Sequence, residues 1–113
     1  MIKNAVISDC QTYRYILQRV WDEKLPAVCF IMLNPSTADA EQDDPTIRKC
    51  VGFASKLGFG GIDVVNLFAC RSTDPAKIRS FIDPIGPEND RWIESAVKSC
   101  ADTICAWGTK SPI

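Results

Sequence analysis

Asn34, Pro35, Ser36 and Thr37 directly follow the apolar run 27–33 and carry groups that could bind or activate a small molecule. An asparagine amide donates and accepts hydrogen bonds at once, so it can orient a water molecule or read the edge of a base. The amides and hydroxyls after the proline can hold an anion. The alternative is a strand-ending turn in which Ser36 or Thr37 bonds the local backbone.

Asn66 and Arg71 form a second candidate segment. Asn66 lies in the apolar run 62–68, where an unpaired buried amide would cost about 1–3 kcal/mol, so it needs a partner, either structural or a ligand. Arg71 can bind a phosphate or carboxylate through two hydrogen bonds. Its alternative role is a salt bridge with Asp74 or another loop acid.

The acidic and aromatic side chains near these segments could serve either ligand binding or the structure of the protein. The carboxylates of residues 39–44 could hold a magnesium ion that bridges to a phosphate. Asp44 also fits a helix cap and the others fit a solvated loop, so we predict no metal site and keep Asp39 as a candidate binding residue. Phe68 could stack on a base, as could Tyr13, Trp21 and Trp107. Aromatic residues beside a sheet are, however, usually part of the core.

Alternating strand and helix patterns must position these side chains. Apolar runs predict an N-terminal hairpin at residues 5–8 and 13–20 and core strands at 27–33, 62–68 and 103–107. The second hairpin strand alternates with only a rough period of two, Tyr13, Tyr15 and Leu17 against Arg14, Gln18 and Arg19. Its aromatic face is expected to pack on the core.

Capping signals predict the helices. Asp44 before Pro45 and Asp74 before Pro75 each start a helix, and a third opens at residues 87–90. The inward stripes are Ile47, Val51, Ala54 and Leu57 in the first helix, and Trp92, Ile93, Ala96, Val97 and Cys100 in the last. Gly58 is expected to end the first helix.

This pattern predicts an α/β fold, a three-layer sandwich with a central parallel sheet plus the hairpin. The strand at 27–33 is expected between those at 62–68 and 103–107. Ligands bind such sheets beyond the carboxyl ends of the strands, which here are residues 34–37, 66–71 and 108–109. The chain stops soon after the last strand, so we expect an exposed edge there that favours a homodimer or a partner chain.

Composition narrows the class of protein. The 113 residues suit one domain, residues 1–113, and 46% hydrophobic with 24% charged residues is a globular balance. A net charge of −1 supplies no bulk field for nucleic acid. Histidine is absent, which rules out Ser-His-Asp and Cys-His catalysis.

Cysteine usage and hydropathy bear on the compartment. The six cysteines contain no Cys-x-x-Cys pair and no leader precedes them, so we expect free, buried thiols in the cytoplasm. No apolar run approaches the ~20 residues of a membrane span, so no membrane contact is expected.

The sequence from Tyr13 to Gly108 resembles the uncharacterised family called domain of unknown function 1643, and residues 32–75, 85–90 and 106–108 carry the resemblance. A more distant likeness is to the uracil-DNA glycosylase superfamily, a parallel α/β fold. Leu33, Asn34 and Pro35 are similar to its Gly-Ile-Asn-Pro-Gly motif, in which the asparagine positions the attacking water. Residues 66–71 resemble its Asn-x-x-x-Cys-Arg-Pro segment, whose asparagine reads the base, and residues 87–108 resemble its final helix and Leu-Gly strand end.

This sequence departs from the glycosylase pattern in two respects, which limit the roles that the resemblance implies. Only Cys70 matches a cluster-binding cysteine, so we predict no iron–sulfur cluster and no other cofactor. The further strand and His-Pro segment of the glycosylases are missing, which puts full glycosylase activity in doubt.

We therefore expect a protein that binds or processes the base of a nucleotide, nucleoside or single-stranded nucleic acid, with Asn34 and Asn66 as catalytic candidates. An enzyme of this kind would hydrolyse N-glycosidic bonds. Pro35, Ser36, Thr37, Asp39, Phe68 and Arg71 are the ligand-binding candidates. The alternative is a non-catalytic nucleotide-, phosphate- or protein-binding module, or a truncated copy of a longer enzyme.

Overall fold

A five-stranded mixed sheet organises the protein, whose computed structural model describes residues 1–107. The strands are β1 (Ile2–Ile7), β2 (Arg14–Val20), β3 (Ala27–Met32), β4 (Gly61–Asn66) and β5 (Asp102–Cys105). The helices are α1 (Pro45–Lys56) and α2 (Asn89–Ser99), with a 3₁₀ helix (Pro75–Ser80) between β4 and α2. The sheet order is β1-β2-β4-β3-β5.

The predicted order of the three core strands is confirmed, because β3 pairs in parallel with β4 on one side and with β5 on the other. The sheet as a whole is not parallel, however. The predicted hairpin joins the same sheet, and its strand β2 pairs antiparallel with β4. Within the part of the chain that the structure describes, β5 pairs only with β3 and therefore lies at the edge.

The two helices cover opposite faces of the sheet, which gives the three predicted layers. Alternate residues of β3 show this: Val28 and Phe30 belong to the core beneath α1, whereas Cys29 belongs to the core beneath α2. Side chains of β4 divide in the same way, with Val64 on the α1 face and Val65 on the other. Both faces of these strands are buried, as their mainly apolar sequences indicate.

The predicted N-caps are confirmed at the starts of α1 and of the 3₁₀ helix. The Asp44 carboxylate caps α1 by accepting a hydrogen bond from the Ile47 N–H at 2.9 Å. Asp74 caps the 3₁₀ helix through Ala76 N–H at 3.0 Å. Gly58 follows the end of α1 with a φ of 88°, a left-handed conformation that suits glycine.

Two residues predicted to face the sheet are exposed instead. Leu57 is 55% exposed because it caps the end of α1, where the chain turns away, and Phe59 packs against the core near that end. Val97 is 40% exposed because it lies at the margin of the inward stripe that Trp92, Ile93 and Ala96 form on α2.

The cysteine prediction is right for three thiols, since Cys29, Cys50 and Cys70 are buried and free. Cys10 and Cys105 are exposed, and Cys100 is half-buried, because they lie at a hairpin turn, on the edge strand and at the end of α2. Within residues 1–107, no helix combines the length and apolar character needed to span a bilayer.

The hairpin prediction is right about Tyr15 and Leu17, which are buried, but it is wrong about the polar face. Arg14 and Arg19 are buried as well, at 2% and 0% exposure. The register of β1 and β2 shifts by one residue, so that Val6 pairs with Ile16 and Ile7 pairs with Arg14. This bulge changes the direction of the Arg14 side chain, which a strict alternation of faces does not predict. Arg19 lies two residues after Leu17 in the regular part of β2 and therefore shares its buried face.

Arg19 fixes the acidic loop that connects β3 to α1. Its guanidinium donates to the Asp43 carboxylate at 2.8 Å, to the Asp39 carbonyl at 2.6 Å and to the Gln42 carbonyl at 3.2 Å. Burial alone would raise the pKa of Asp43, but the hydrogen bond and charge of Arg19, together with Lys3, hold that pKa below its usual range. Much of the acidic cluster is therefore tied to the hairpin.

We expect Arg19→Met to lower the free energy of unfolding by about 3 kcal/mol or more, because Asp43 and the loop carbonyls lose their buried donor. Urea denaturation measures this, with Lys49→Met on the exposed face of α1 as the control, expected within about 0.5 kcal/mol of the wild type. Equal destabilisation by both substitutions would contradict this role.

A pH series gives a second test of the same pair. Since the folded state lowers the pKa of Asp43, its contribution to stability is complete above the unfolded-state pKa of about 3.9 and is lost as the pH falls through the folded value. Arg19→Met should flatten this acid dependence. An unchanged acid limb would contradict the assignment.

Candidate functional site

The carboxyl ends of β3 and β4 bring the two predicted segments together. Met32 and Asn66 are in register, and the chain continues side by side beyond them. Phe68 N–H donates to the Leu33 carbonyl at 3.0 Å, and Ser72 N–H donates to the Pro35 carbonyl at 3.0 Å. Residues 108–109, the third predicted segment, lie outside the described residues.

A cavity of about 170 Å³ opens where these segments meet. Four of the predicted site residues line it: Asn34, Pro35, Ser36 and Asn66. The remaining lining residues are Arg14, Met32, Leu33, Asp44, Thr46, Ile47, Pro75 and Ala106. The cavity is thus a mixed site, with amide, hydroxyl and charged groups set among apolar side chains.

The other four predicted residues do not line the cavity. Thr37 is exposed and Phe68 is half-buried. Asp39 serves the loop, since its carboxylate accepts the N–H groups of Glu41 and Gln42 at 2.9 and 2.8 Å. Those hydrogen bonds, chiefly the one from Gln42, lower the pKa of Asp39.

Arg71 is half-buried and donates to the side-chain oxygen of Gln11 at 3.3 Å. Among residues 1–107 it forms no salt bridge, so the predicted alternative partner Asp74 is not used. Its charge still reaches the cavity, because it helps to lower the pKa of Arg14.

The Asn34 side chain has a structural role through its amide nitrogen, while its oxygen Oδ1 has no partner in the described chain. Its amide nitrogen donates to the carbonyls of Pro35 at 3.0 Å and Ser72 at 2.9 Å, which ties together the two segments. The described part of the chain offers no hydrogen bond to its Oδ1. The side chain therefore fixes the strand end and keeps an acceptor for a water molecule or a ligand.

Asn66 is the most deeply buried polar side chain of the cavity wall, at 1% exposure. Its Oδ1 has no hydrogen-bond partner within residues 1–107. An orphaned buried acceptor costs about 1–3 kcal/mol. The described protein does not supply the partner that the sequence led us to expect for this side chain. A ligand or a water molecule can therefore bind this oxygen.

Asn89, at the start of α2, was not among the predicted site residues. It is fully buried, and its amide donates to the carbonyls of Asn66 at 2.8 Å and Leu67 at 3.2 Å. It therefore holds the end of β4 in place. Its signal in the sequence is weak, because an uncharged amide at the start of a helix is also typical of a residue with no further role.

Arg14 is a cavity residue that the sequence pattern does not indicate, because alternation places it opposite the apolar residues of β2. Its Nη1 donates to the Ala38 carbonyl at 3.1 Å, and its Nε is buried without a partner in the described chain. Burial lowers the pKa of Arg14 to about 10, with Asp44 acting in the opposite direction. The guanidinium remains protonated at neutral pH.

Asp44 is the carboxylate of the cavity wall, and both of its oxygens are engaged. Oδ1 accepts from Ile47 N–H, and Oδ2 accepts from Ala38 N–H at 3.3 Å. Across residues 1–107, no three His, Cys, Asp or Glu side chains are grouped as metal ligands.

The aromatic side chains proposed to stack a base lie away from the cavity wall. Tyr13 stacks on Tyr15 with ring centroids 5.8 Å apart, and Trp21 donates to the Phe59 carbonyl at 3.1 Å. Trp107 is 39% exposed.

The contrast between Asn66 and Asn89 makes a prediction about stability. Asn66→Leu, a change of similar volume, should leave the free energy of unfolding unchanged or raise it by up to about 2 kcal/mol, because it removes an unpaired acceptor. Asn89→Leu should lower it by about 1–3 kcal/mol, because two buried carbonyls lose a donor. Urea denaturation of both variants measures the difference, and an Asn66→Leu loss as large as that of Asn89→Leu would show that Asn66 is structural.

Comparison with known proteins identifies a family. The chain matches the family described as Protein of unknown function (DUF1643) over residues 14–113, from the start of β2 onward. No curated protein and no solved structure matches the chain significantly. Since this match covers nearly the whole chain, including the residues of the cavity wall, the chain belongs to the DUF1643 family.

Proposed function

We propose that the cavity binds the base of a nucleotide, a nucleoside or a single-stranded nucleic acid. The observation that carries this proposal is Asn66, a buried amide with an unpartnered oxygen in the wall of a cavity at the carboxyl edge of parallel strands. This edge is where open α/β sheets bind ligands. A base edge presents adjacent hydrogen-bond donors and acceptors, which suit an amide that can do both.

The size of the cavity favours a single ring. A cavity of about 150 Å³ is enough for benzene, and this one measures about 170 Å³. A six-membered ring such as a pyrimidine therefore fits, whereas a complete nucleotide does not. The sugar and phosphate would lie at the mouth.

Polar groups near the mouth suit a phosphate. Ser36 lines the cavity, Thr37 follows it on the surface, and Arg71 adds a positive charge close enough to influence Arg14. Arginine binds phosphate oxygens well through its planar fork of donors. We assign these three residues to the phosphate.

If the protein is an enzyme, the reaction is hydrolysis of the N-glycosidic bond. Asn34 would orient the attacking water through its free Oδ1, and Asn66 would hold the base. These roles are the ones that the glycosylase resemblance implies for the two asparagines.

Binding without hydrolysis is the second candidate, and Asp44 favours it. This carboxylate could serve as a base in the cavity, but both of its oxygens accept backbone N–H groups. To take a proton from water, it would have to weaken the cap of α1.

Thermal-shift titration with pyrimidine bases, purine bases and their nucleosides tests the proposal. We expect a pyrimidine base to stabilise the wild type, and Asn66→Leu to weaken that binding at least tenfold. Asn4→Leu on the exposed strand β1 is the matched control and should bind as the wild type does. No stabilisation of the wild type by any base or nucleoside would refute base binding.

Comparison of a nucleotide with its nucleoside tests the proposed contact between Arg71 and the phosphate. A nucleotide should stabilise the wild type more than its nucleoside does, because Arg71 contacts the phosphate. Arg71→Ala should remove this difference and leave nucleoside binding intact. Retention of the full nucleotide preference in Arg71→Ala would exclude the contact.

Base release from nucleosides and from single-stranded DNA with modified bases separates the two candidates. Turnover that is lost in Asn34→Ala while binding persists indicates hydrolysis. Base binding by the wild type without any release indicates a binding module.

A further inference from the structure

Arg14 is a buried cation, and the described residues form no ion pair with it. It is 2% exposed, and none of the salt bridges within residues 1–107 includes it. Asp44 influences it by charge, but the Asp44 oxygens accept the N–H groups of Ile47 and Ala38. Arginine is almost never fully buried unless it is paired, because desolvation of an isolated charge is costly.

Most of the donors of this guanidinium are unused by the described protein. Of its five N–H groups, one on Nη1 donates to the Ala38 carbonyl at 3.1 Å. Nε is buried and has no partner in the described chain. Arg14 also belongs to the wall of the cavity, so a group that enters the cavity can supply an acceptor to the guanidinium.

The first turn of α1 adds a second donor to the same wall. Asp44, Thr46 and Ile47 all line the cavity, so the N-terminus of this twelve-residue helix borders it. Pro45 has no N–H, and Ile47 N–H is taken by the cap. Thr46 N–H has no partner among residues 1–107, and a helix N-terminus favours negative charge.

We propose that Arg14 is a ligand-binding residue which, together with Thr46, binds an oxygen carrying partial or full negative charge on the group inside the cavity. The inference shares the cavity with the proposed function and rests on it for the identity of the ligand only. The oxygen comes from a carbonyl of the base or from an oxyanion such as phosphate. Cationic groups are excluded from this position.

Two probes and three variants test the role of Arg14. Uracil supplies a carbonyl oxygen and inorganic phosphate supplies an oxyanion, each titrated in chloride buffer of matched ionic strength. Arg14→Met removes the charge, and Arg14→Lys keeps the charge without the planar fork. Arg48→Met, on the exposed face of α1, is the matched control.

We expect both Arg14 variants to weaken binding of at least one probe by tenfold or more, while Arg48→Met binds as the wild type does. Far-UV circular dichroism and a single cooperative unfolding transition verify that the variants fold. Phosphate also stabilises proteins without binding to a specific site. The evidence for binding is therefore the stabilisation of the wild type in excess of the stabilisation of Arg14→Met. Loss of uracil binding identifies the carbonyl, and loss of phosphate binding identifies the oxyanion.

The proposal is overturned if both probes affect Arg14→Met as they affect the wild type, including the case in which neither stabilises either protein. Uracil binding that Asn66→Leu abolishes and Arg14→Met retains supports the proposed function and refutes this inference. Phosphate binding that depends on Arg14, in a protein that binds no base, supports this inference and refutes base binding.

Discussion

The hydrogen bonds of Arg19 are the constraint on which the cavity depends. Held at 0% exposure, this side chain ties the loop between β3 and α1 to the hairpin through Asp39, Gln42 and Asp43. The same loop ends at Asp44, which caps α1. One buried arginine thus sets where the first turn of α1 lies relative to the ends of β3 and β4.

Unsatisfied polar atoms gather around that edge of the sheet. The buried side-chain atoms that lack partners in the described chain are Arg14 Nε, Asn66 Oδ1 and Asn89 Oδ1. Each costs about 1–3 kcal/mol in the free energy of unfolding. Arg14 and Asn66 line one cavity, and Asn89 bonds the Asn66 carbonyl. Destabilising unpaired polar atoms at one place in a fold are typical of a binding site, because a bound ligand supplies the missing hydrogen-bond partners.

Local signals in the sequence were sufficient for much of the fold. Asp44 before Pro45 located α1, and continuous apolar runs located the parallel strands and their order. The same strand ends located Asn34 and Asn66 in the cavity. Arg14 could not be found this way, because the bulge that changes its direction arises from pairing with β1. The roles of Arg19 and Asn89 also depend on tertiary contacts with segments more than twenty residues away.

Nuclear magnetic resonance of the ¹⁵N-labelled protein tests the central claim most directly, because it observes the two cavity side chains that carry unpartnered atoms. The signals of the Asn66 side-chain amide and Arg14 Nε–H are followed during titration with a pyrimidine base. Binding of the base in this cavity predicts that both signals shift together along one saturable binding curve. Saturable shifts confined to other parts of the protein, or the absence of any shift at these two signals, would contradict it.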